Sequence, residues 1–153
     1  MANYTTADIT ELREQTGMGI MDVKKALDEA DGNKGKAITL LQERGAHIMA
    51  KKADREAAEG VVEAYVHGGK IGVLLEVNCE TDFVARGEDF KTFAHDLALQ
   101  ISSMCPATVE ELLEQDFIKG GGSVAQYLTN VTGKLGERIV IKRFVRYQLG
   151  EAI

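Results

Sequence analysis

Ile71-Gly72-Val73-Leu74-Leu75-Glu76-Val77-Asn78-Cys79, continuing as Glu80-Thr81-Asp82-Phe83-Val84-Ala85-Arg86, is the stretch on which the fold turns. Ile71, Val73, Leu75, Val77 and Cys79 recur at a period of two, which predicts a strand with one buried face. Gly68-Gly69 stands just upstream as a two-residue hairpin turn, because glycine tolerates positive φ. Before it, Val62, Ala64 and Val66 alternate with Glu63, Tyr65 and His67, which supplies the first strand of the hairpin. A third strand is expected over Ile139–Leu149, with Ile139, Ile141, Val145, Tyr147 and Leu149 in one phase. Helical spacing returns between them. Phe90, Phe93, Ala94, Leu97 and Ile101 form one stripe, and Pro106 ends that helix. Thr108 with Glu111 opens another helix, and a further one spans about Ser123–Leu135, between Gly120-Gly121-Gly122 and Gly136. Helices lying between sequence-distant strands predict an α+β layer: a three-stranded antiparallel sheet covered by helices on one face.

Residues 5–53 read as a separate helical unit. Thr5 and Asp8 suggest a capping box, and Ile9 and Leu12 mark a helix that stops at Gly17. Ile20, Val23, Leu27 and Ala30 mark a second helix. Asn33 caps a third, which carries Ala37, Ile38 and Leu41 and is expected to close at Gly45. His47–Ala58 follows as a short helix and linker. Three short helices bury only a small core, and such a unit commonly serves recognition.

Composition narrows the function. The 153 residues hold 44% apolar and 27% charged residues, with sixteen Gly, one Pro and a net charge of −6. An acidic chain does not suit phosphate-backbone binding, so no direct nucleic-acid contact is expected. Cys79 and Cys105 are too few for a disulfide framework. With no signal sequence and no apolar run long enough for a bilayer, the expected compartment is the cytoplasm. Enzyme chemistry finds no purchase either. Gly133-Lys134 resembles the end of a phosphate loop, but Leu135 replaces the Ser or Thr and Leu128 the first Gly. His47, His67 and His95 pair with neither cysteine in a nucleophile motif, and no metal-ligand spacing occurs. No cofactor and no metal are expected.

An interaction surface remains. Leu12, Met18 and Met21 flank the Thr16-Gly17-Met18-Gly19 turn, off the face that Ile9, Val23 and Leu27 should bury. They either offer a pliable contact surface or complete a small core. Phe83 poses the same alternative. A large aromatic beside Asp82 in a polar turn is folded back into the core or held out for a partner, and exposure forgoes about 1.5–3 kcal/mol of burial.

Three segments carry a family resemblance. Glu11-Leu12-Arg13-Glu14-Gln15-Thr16-Gly17-Met18-Gly19-Ile20-Met21-Asp22-Val23-Lys24-Lys25-Ala26-Leu27 resembles the N-terminal signature of the bacterial elongation factor Ts family. Val77–Ala85 is similar to its second signature, and Leu135–Arg143 to the start of a strand in its core domain. The segments come in family order at family spacing. The resemblance implies a ubiquitin-associated-like (UBA-like) domain over 1–53 and a single dimerisation-type core over 54–153. It implies guanine-nucleotide exchange on the translational GTPase elongation factor Tu, without covalent chemistry. Thr81, Asp82, Phe83 and Val84 would then dislodge the GTPase's Mg²⁺. Leu12, Ile20, Met21, Leu135 and Gly136 would bind the partner. This chain departs from the family by having Val23 where Cys is common and Gly19-Ile20-Met21 for Gly-Met-Met. It also has room for one core subdomain and no projecting coiled coil, and the Ser102–Phe117 connection looks shortened. A homodimer through the core sheet is expected to replace the second subdomain. A non-exchange adaptor is the competing reading, and it leaves Thr81–Ala85 as an accident.

Overall fold

The computed structural model describes residues 3–152. Three helices come first: α1 (Thr6–Thr16), α2 (Ile20–Glu29) and α3 (Lys34–Lys52). The strands β1 (Glu59–His67) and β2 (Ile71–Cys79) follow, then α4 (Asp82–Ala85), α5 (Glu88–Met104), α6 (Val109–Glu114), α7 (Val124–Leu135) and β3 (Val140–Gln148). The class is α+β, with a three-stranded antiparallel sheet in the order β1-β2-β3. Two compact units divide the chain: Met1–Asp54 with Gln126–Glu137, and Arg55–Ala125 with Arg138–Ile153. The partition is therefore discontinuous, whereas the sequence reading draws one boundary.

In the helical unit, local chemistry sets the helix ends. The Asp8 amide donates to the Thr5 hydroxyl at 3.3 Å, and the Thr5 amide donates back to the Asp8 carboxylate at 2.7 Å. Asn33 caps α3 by accepting from the Lys36 amide at 3.0 Å. Leu12, Met18, Val23, Ala26, Leu27, Ala37 and Leu41 pack into one small core. Gly45 does not close α3, which runs on to Lys52. A Cβ at Gly45 would lie 2.7 Å from Cγ2 of Thr129, and one at Gly133 would lie 2.7 Å from Sδ of Met18. These glycines let α7 press closely on the helical core, at a cost of about 1 kcal/mol each relative to Ala in a helix. That contact draws Gln126–Glu137 into the helical unit.

In the sheet unit, Gly68 and Gly69 adopt φ of 57° and 69° and turn β1 into β2, with Val61 opposite Val77 and Tyr65 opposite Val73. The face bearing Val73, Leu75, Val77 and Cys79 is buried, and α5 packs across β1 and β2 with Phe90, Phe93, Leu97 and Ile101 inward. Gln100, also buried, accepts from the Ile118 amide at 2.9 Å and donates to the Asp116 carbonyl at 3.0 Å, holding the loop after α6. β3 breaks the expected single phase. Glu76 pairs with Arg143 and Val77 with Ile141, so Lys142 is the extra residue of a β-bulge. Ile139 and Ile141 consequently face the core, while Val145 and Tyr147 face away with Leu149 beyond them. The opposite face of the sheet thus exposes Val62, Val66, Leu74, Val145 and Tyr147.

Candidate functional site

β2 ends at Cys79, whose thiol donates to the Thr81 carbonyl at 3.2 Å. Thr81 is extended, with φ −124° and ψ 149°, and its hydroxyl accepts from the Val84 amide at 3.3 Å. This N-cap converts the polar turn expected after β2 into a single helical turn, α4. Val84 and Ala85 face inward and are buried. Phe83 faces outward and is 88% exposed. Of the two alternatives for Phe83, the structure therefore has it held out. Asp82 sits beside it at the first turn and pairs with Arg86, one turn later. The hydrogen bond from Arg86 to the Asp82 carboxylate raises the guanidinium pKa above its ordinary value.

Glu80 anchors the base of this turn. Its half-buried carboxylate accepts the backbone N–H of Arg138 at 2.8 Å and lies 3.4 Å from the Arg55 guanidinium. The Arg138 guanidinium in turn donates to the Arg55 carbonyl at 2.7 Å. The end of β2 and the segments leading into β1 and β3 are thereby joined by one set of hydrogen bonds. Local sequence carries no sign of this, because Arg138 is 58 residues from Glu80. The Asp82–Arg86 pair, by contrast, is readable from its i,i+4 spacing.

The helical unit presents a second exposed apolar spot. Ile20 and Met21 occupy the first turn of α2, and Met21 is 76% exposed. Leu12 does not join them. It is 0% exposed, because the Gly17-Met18-Gly19 turn folds α2 back and seals Leu12 against the α2–α3 core. The expectation of Leu12 as a partner contact is corrected: it is a core residue, and so is Met18. The helical unit also holds an open groove of about 400 Å³, lined by Met18, Asp22, Leu40, Arg44, His47 and Ile48 among others. Arg44 braces it by donating to the Asp22 carbonyl at 3.1 Å and pairing with Glu29 at 2.7 Å.

Leu135 and Gly136 end α7. Gly136 has φ 70°, is exposed, and donates its amide to the Thr132 carbonyl at 2.9 Å. Leu135 is half-buried. A Cβ at Gly17 would touch Cδ of Lys134 at 3.5 Å, so the end of α7 lies beside the turn that leads to Ile20 and Met21. The structure thus gathers Ile20, Met21, Leu135 and Gly136 in the helical unit and Thr81–Val84 in the sheet unit. Among the described residues, no group of three or more His, Cys, Asp or Glu is placed to hold a metal ion. No helix among them is long and apolar enough to cross a membrane.

Residues 80–153 match the family model described as elongation factor TS. An elongation factor Ts from Desulfitobacterium hafniense is 44% identical over 200 aligned residues, covering all of this chain and 92% of the relative. One from Moorella thermoacetica is 43% identical over 194, covering 96% of each chain. A third, from Alkaliphilus oremlandii, is 42% identical over 197, covering 99% of this chain and 91% of the relative. These alignments run longer than the 153 residues here, so part of each relative stands opposite gaps in this chain.

Proposed function

Since the chain belongs to the elongation factor Ts family, whose role is nucleotide exchange in translation elongation, we propose that it binds elongation factor Tu carrying GDP and promotes release of the GDP. The observation that carries this reading is Phe83, held 88% exposed on a capped helical turn directly beside Asp82. An exposed aromatic on a rigid turn is suited to enter a partner's pocket. Phe83 wedges between helices of the GTPase, and Asp82 disturbs the surroundings of its Mg²⁺. Weakening the metal removes much of the charge balance at the GDP phosphates. Thr81 and Val84 act through the turn itself, one by capping it and the other by packing beneath it.

Exchange requires the factor to bind the nucleotide-poor GTPase more tightly than the GDP-bound form, because a partner shifts an equilibrium only through differential affinity. The UBA-like domain, residues 1–53, docks on a helix of the nucleotide-binding domain through Ile20 and Met21. The core, residues 54–153 in the sequence reading, takes the nucleotide side; its Leu135 and exposed Gly136, which lie in the helical unit, approach the nucleotide site. No step forms or breaks a covalent bond, and the setting is the cytoplasm. Stopped-flow release of a fluorescent GDP from elongation factor Tu tests the reading. Acceleration that rises and saturates with this protein is expected, and an unchanged release rate sinks it.

A homodimer completes the proposal. The face of the sheet turned away from α5 exposes Val62, Val66, Leu74, Val145 and Tyr147 around the Glu76–Arg143 pair. A contiguous apolar face of this kind is a common site of association, and a two-fold pairing of two sheets would cover both copies at once. Light scattering at micromolar concentration is expected to give about twice the 16.7 kDa chain mass. A mass that stays at the monomer value overturns the dimer and leaves the exchange reading intact.

A further inference from the structure

We infer that Glu80 is a positioning residue for the Asp82–Phe83 turn, aiming Phe83 by tying the base of α4 to the backbone of Arg138. The inference rests on the exchange reading above for its consequence, though not for its geometry. A helix of four residues cannot hold itself, since a first turn fixes several dihedrals for one hydrogen bond. Burial of Val84 and Ala85 seats one side of it on the sheet unit's core, and its direction is then set by its two ends. At the far end Arg86 is an exposed side chain on an exposed partner, which constrains little. At the near end stands Glu80, one residue after β2 and one before the Thr81 cap.

Glu80 is held unusually well for an acid at a turn. Its side chain is only 14% exposed, and one carboxylate oxygen accepts the Arg138 N–H at 2.8 Å. Charge-assisted bonds of this type are stronger than neutral ones, and partial burial limits competition from water. Arg55 lies on the other oxygen at 3.4 Å, and Arg138 closes the circuit by donating to the Arg55 carbonyl at 2.7 Å. The acceptor at Glu80 therefore fixes the chain immediately before Thr81 against two segments that enter neighbouring strands. Loss of that acceptor leaves the Arg138 N–H unpaired and the Phe83 turn free to swing. The wedge then pays an ordering cost on binding that it does not pay now.

Amide hydrogen exchange on the free protein tests the geometry. The Ala85 and Arg86 amides, which donate to the Thr81 and Asp82 carbonyls, are expected to exchange about tenfold faster in Glu80→Ala, the scale of one charge-assisted hydrogen bond. Glu80→Gln keeps an oxygen for the Arg138 N–H and should retain protection. Stopped-flow GDP release then tests the consequence. In Glu80→Ala the maximal release rate should fall about tenfold while the half-saturating concentration moves less than about threefold, with Glu80→Gln close to wild type. Val77→Ala, a cavity in the sheet core, serves as the control: it lowers the melting temperature without lowering the maximal rate. Unchanged amide protection in Glu80→Ala, or a maximal rate within twofold of wild type, overturns the inference. So does a Glu80→Gln protein as impaired as Glu80→Ala. A wild-type protein that fails to accelerate release sinks the exchange reading, and the amide measurement judges the positioning apart from it.

Discussion

Ile20–Met21 and Phe83 occupy matching places in the two units, each exposed at the first turn of a helix, yet they are held there by different forces. The first turn of α2 belongs to a ten-residue helix whose Val23, Ala26 and Leu27 are buried in the three-helix core. No side-chain hydrogen bond caps it. Packing of the helix from behind, with Arg44 reaching the Asp22 carbonyl and Glu29, presents Ile20 and Met21. The turn at Phe83 buries only Val84 and Ala85, and it is kept in place by the Thr81 hydroxyl and the Glu80 carboxylate. An apolar contact spot can thus be supported from behind by a core or from the side by polar clamps. The first arrangement breaks when a core residue is cut and the second when an acceptor is removed.

The largest expected effect follows from cutting the support behind α2. Leu12→Ala removes a fully buried side chain from a small core, which costs about 2–5 kcal/mol in comparable sites. The helical unit should unfold well below the wild-type temperature, while the sheet unit, which has its own core, keeps its strand signal by circular dichroism and NMR. Met21→Ala should leave the stability within about 0.5 kcal/mol of wild type, as exposed positions do. If Leu12→Ala were as mild as Met21→Ala, the distinction between core and contact in this unit would collapse.

Phe83→Ala comes next. The side chain touches little of its own protein, so thermal stability should hold while GDP release slows about 30-fold or more, the scale of an interface hot spot of about 2 kcal/mol. A marked loss of stability would mean that Phe83 packs against the chain in solution, and the likeness to Met21 would end there. Thr81→Ala should be milder. Loss of an N-cap costs about 0.5–2 kcal/mol of local helix stability, seen as faster exchange of the Val84 amide. The global melting temperature should barely move, because the turn contributes only two buried side chains. A large global loss would show that α4 is part of the core and not a clamped attachment to it.

Most of what was legible in the sequence depends on neighbours within four residues. Thr5 with Asp8, Asn33, Thr108 and the Gly68-Gly69 turn are all found where their local chemistry places them. What was not legible depends on distant partners. Gly45 looks like a helix stop until Thr129, on a helix more than eighty residues away, is seen to need its missing Cβ. The alternation in β3 looks unbroken until pairing with β2 leaves Lys142 without an opposite residue. The candidate site divides in the same way. Local polarity marks Asp82 and Phe83 as unusual, whereas the burial of Leu12 and the anchoring of Glu80 exist only once the chain has folded back on itself.

The smallest expected effect is electrostatic and separates the two units by pH. In the helical unit the hydrogen bond from Lys34, with those from the Thr5 amide and hydroxyl, lowers the Asp8 pKa from 3.8 to about 2. A carboxylate whose folded pKa lies below its unfolded value stabilises the fold above the unfolded pKa. That contribution is lost as pH falls from about 4 through about 2. In the sheet unit Glu76 is also lowered, first by Asn78 and then by Arg143, but it ties two adjacent strands that are already fully paired. Asp8 instead joins the first turn of α1 to the first turn of α3 through Lys34 at 2.7 Å, and the helical unit has no ladder to fall back on. Thermal melts at pH 5 and pH 3 should therefore lower the transition of the helical unit more than that of the sheet unit. Asp8→Asn retains a capping oxygen but cannot titrate, and it should shrink the pH-dependent part of the helical transition. Because both partners face solvent, added salt should shrink it as well. An Asp8→Asn protein with the full wild-type pH response would place the acid sensitivity elsewhere in the helical unit, and the contrast would then rest on packing alone.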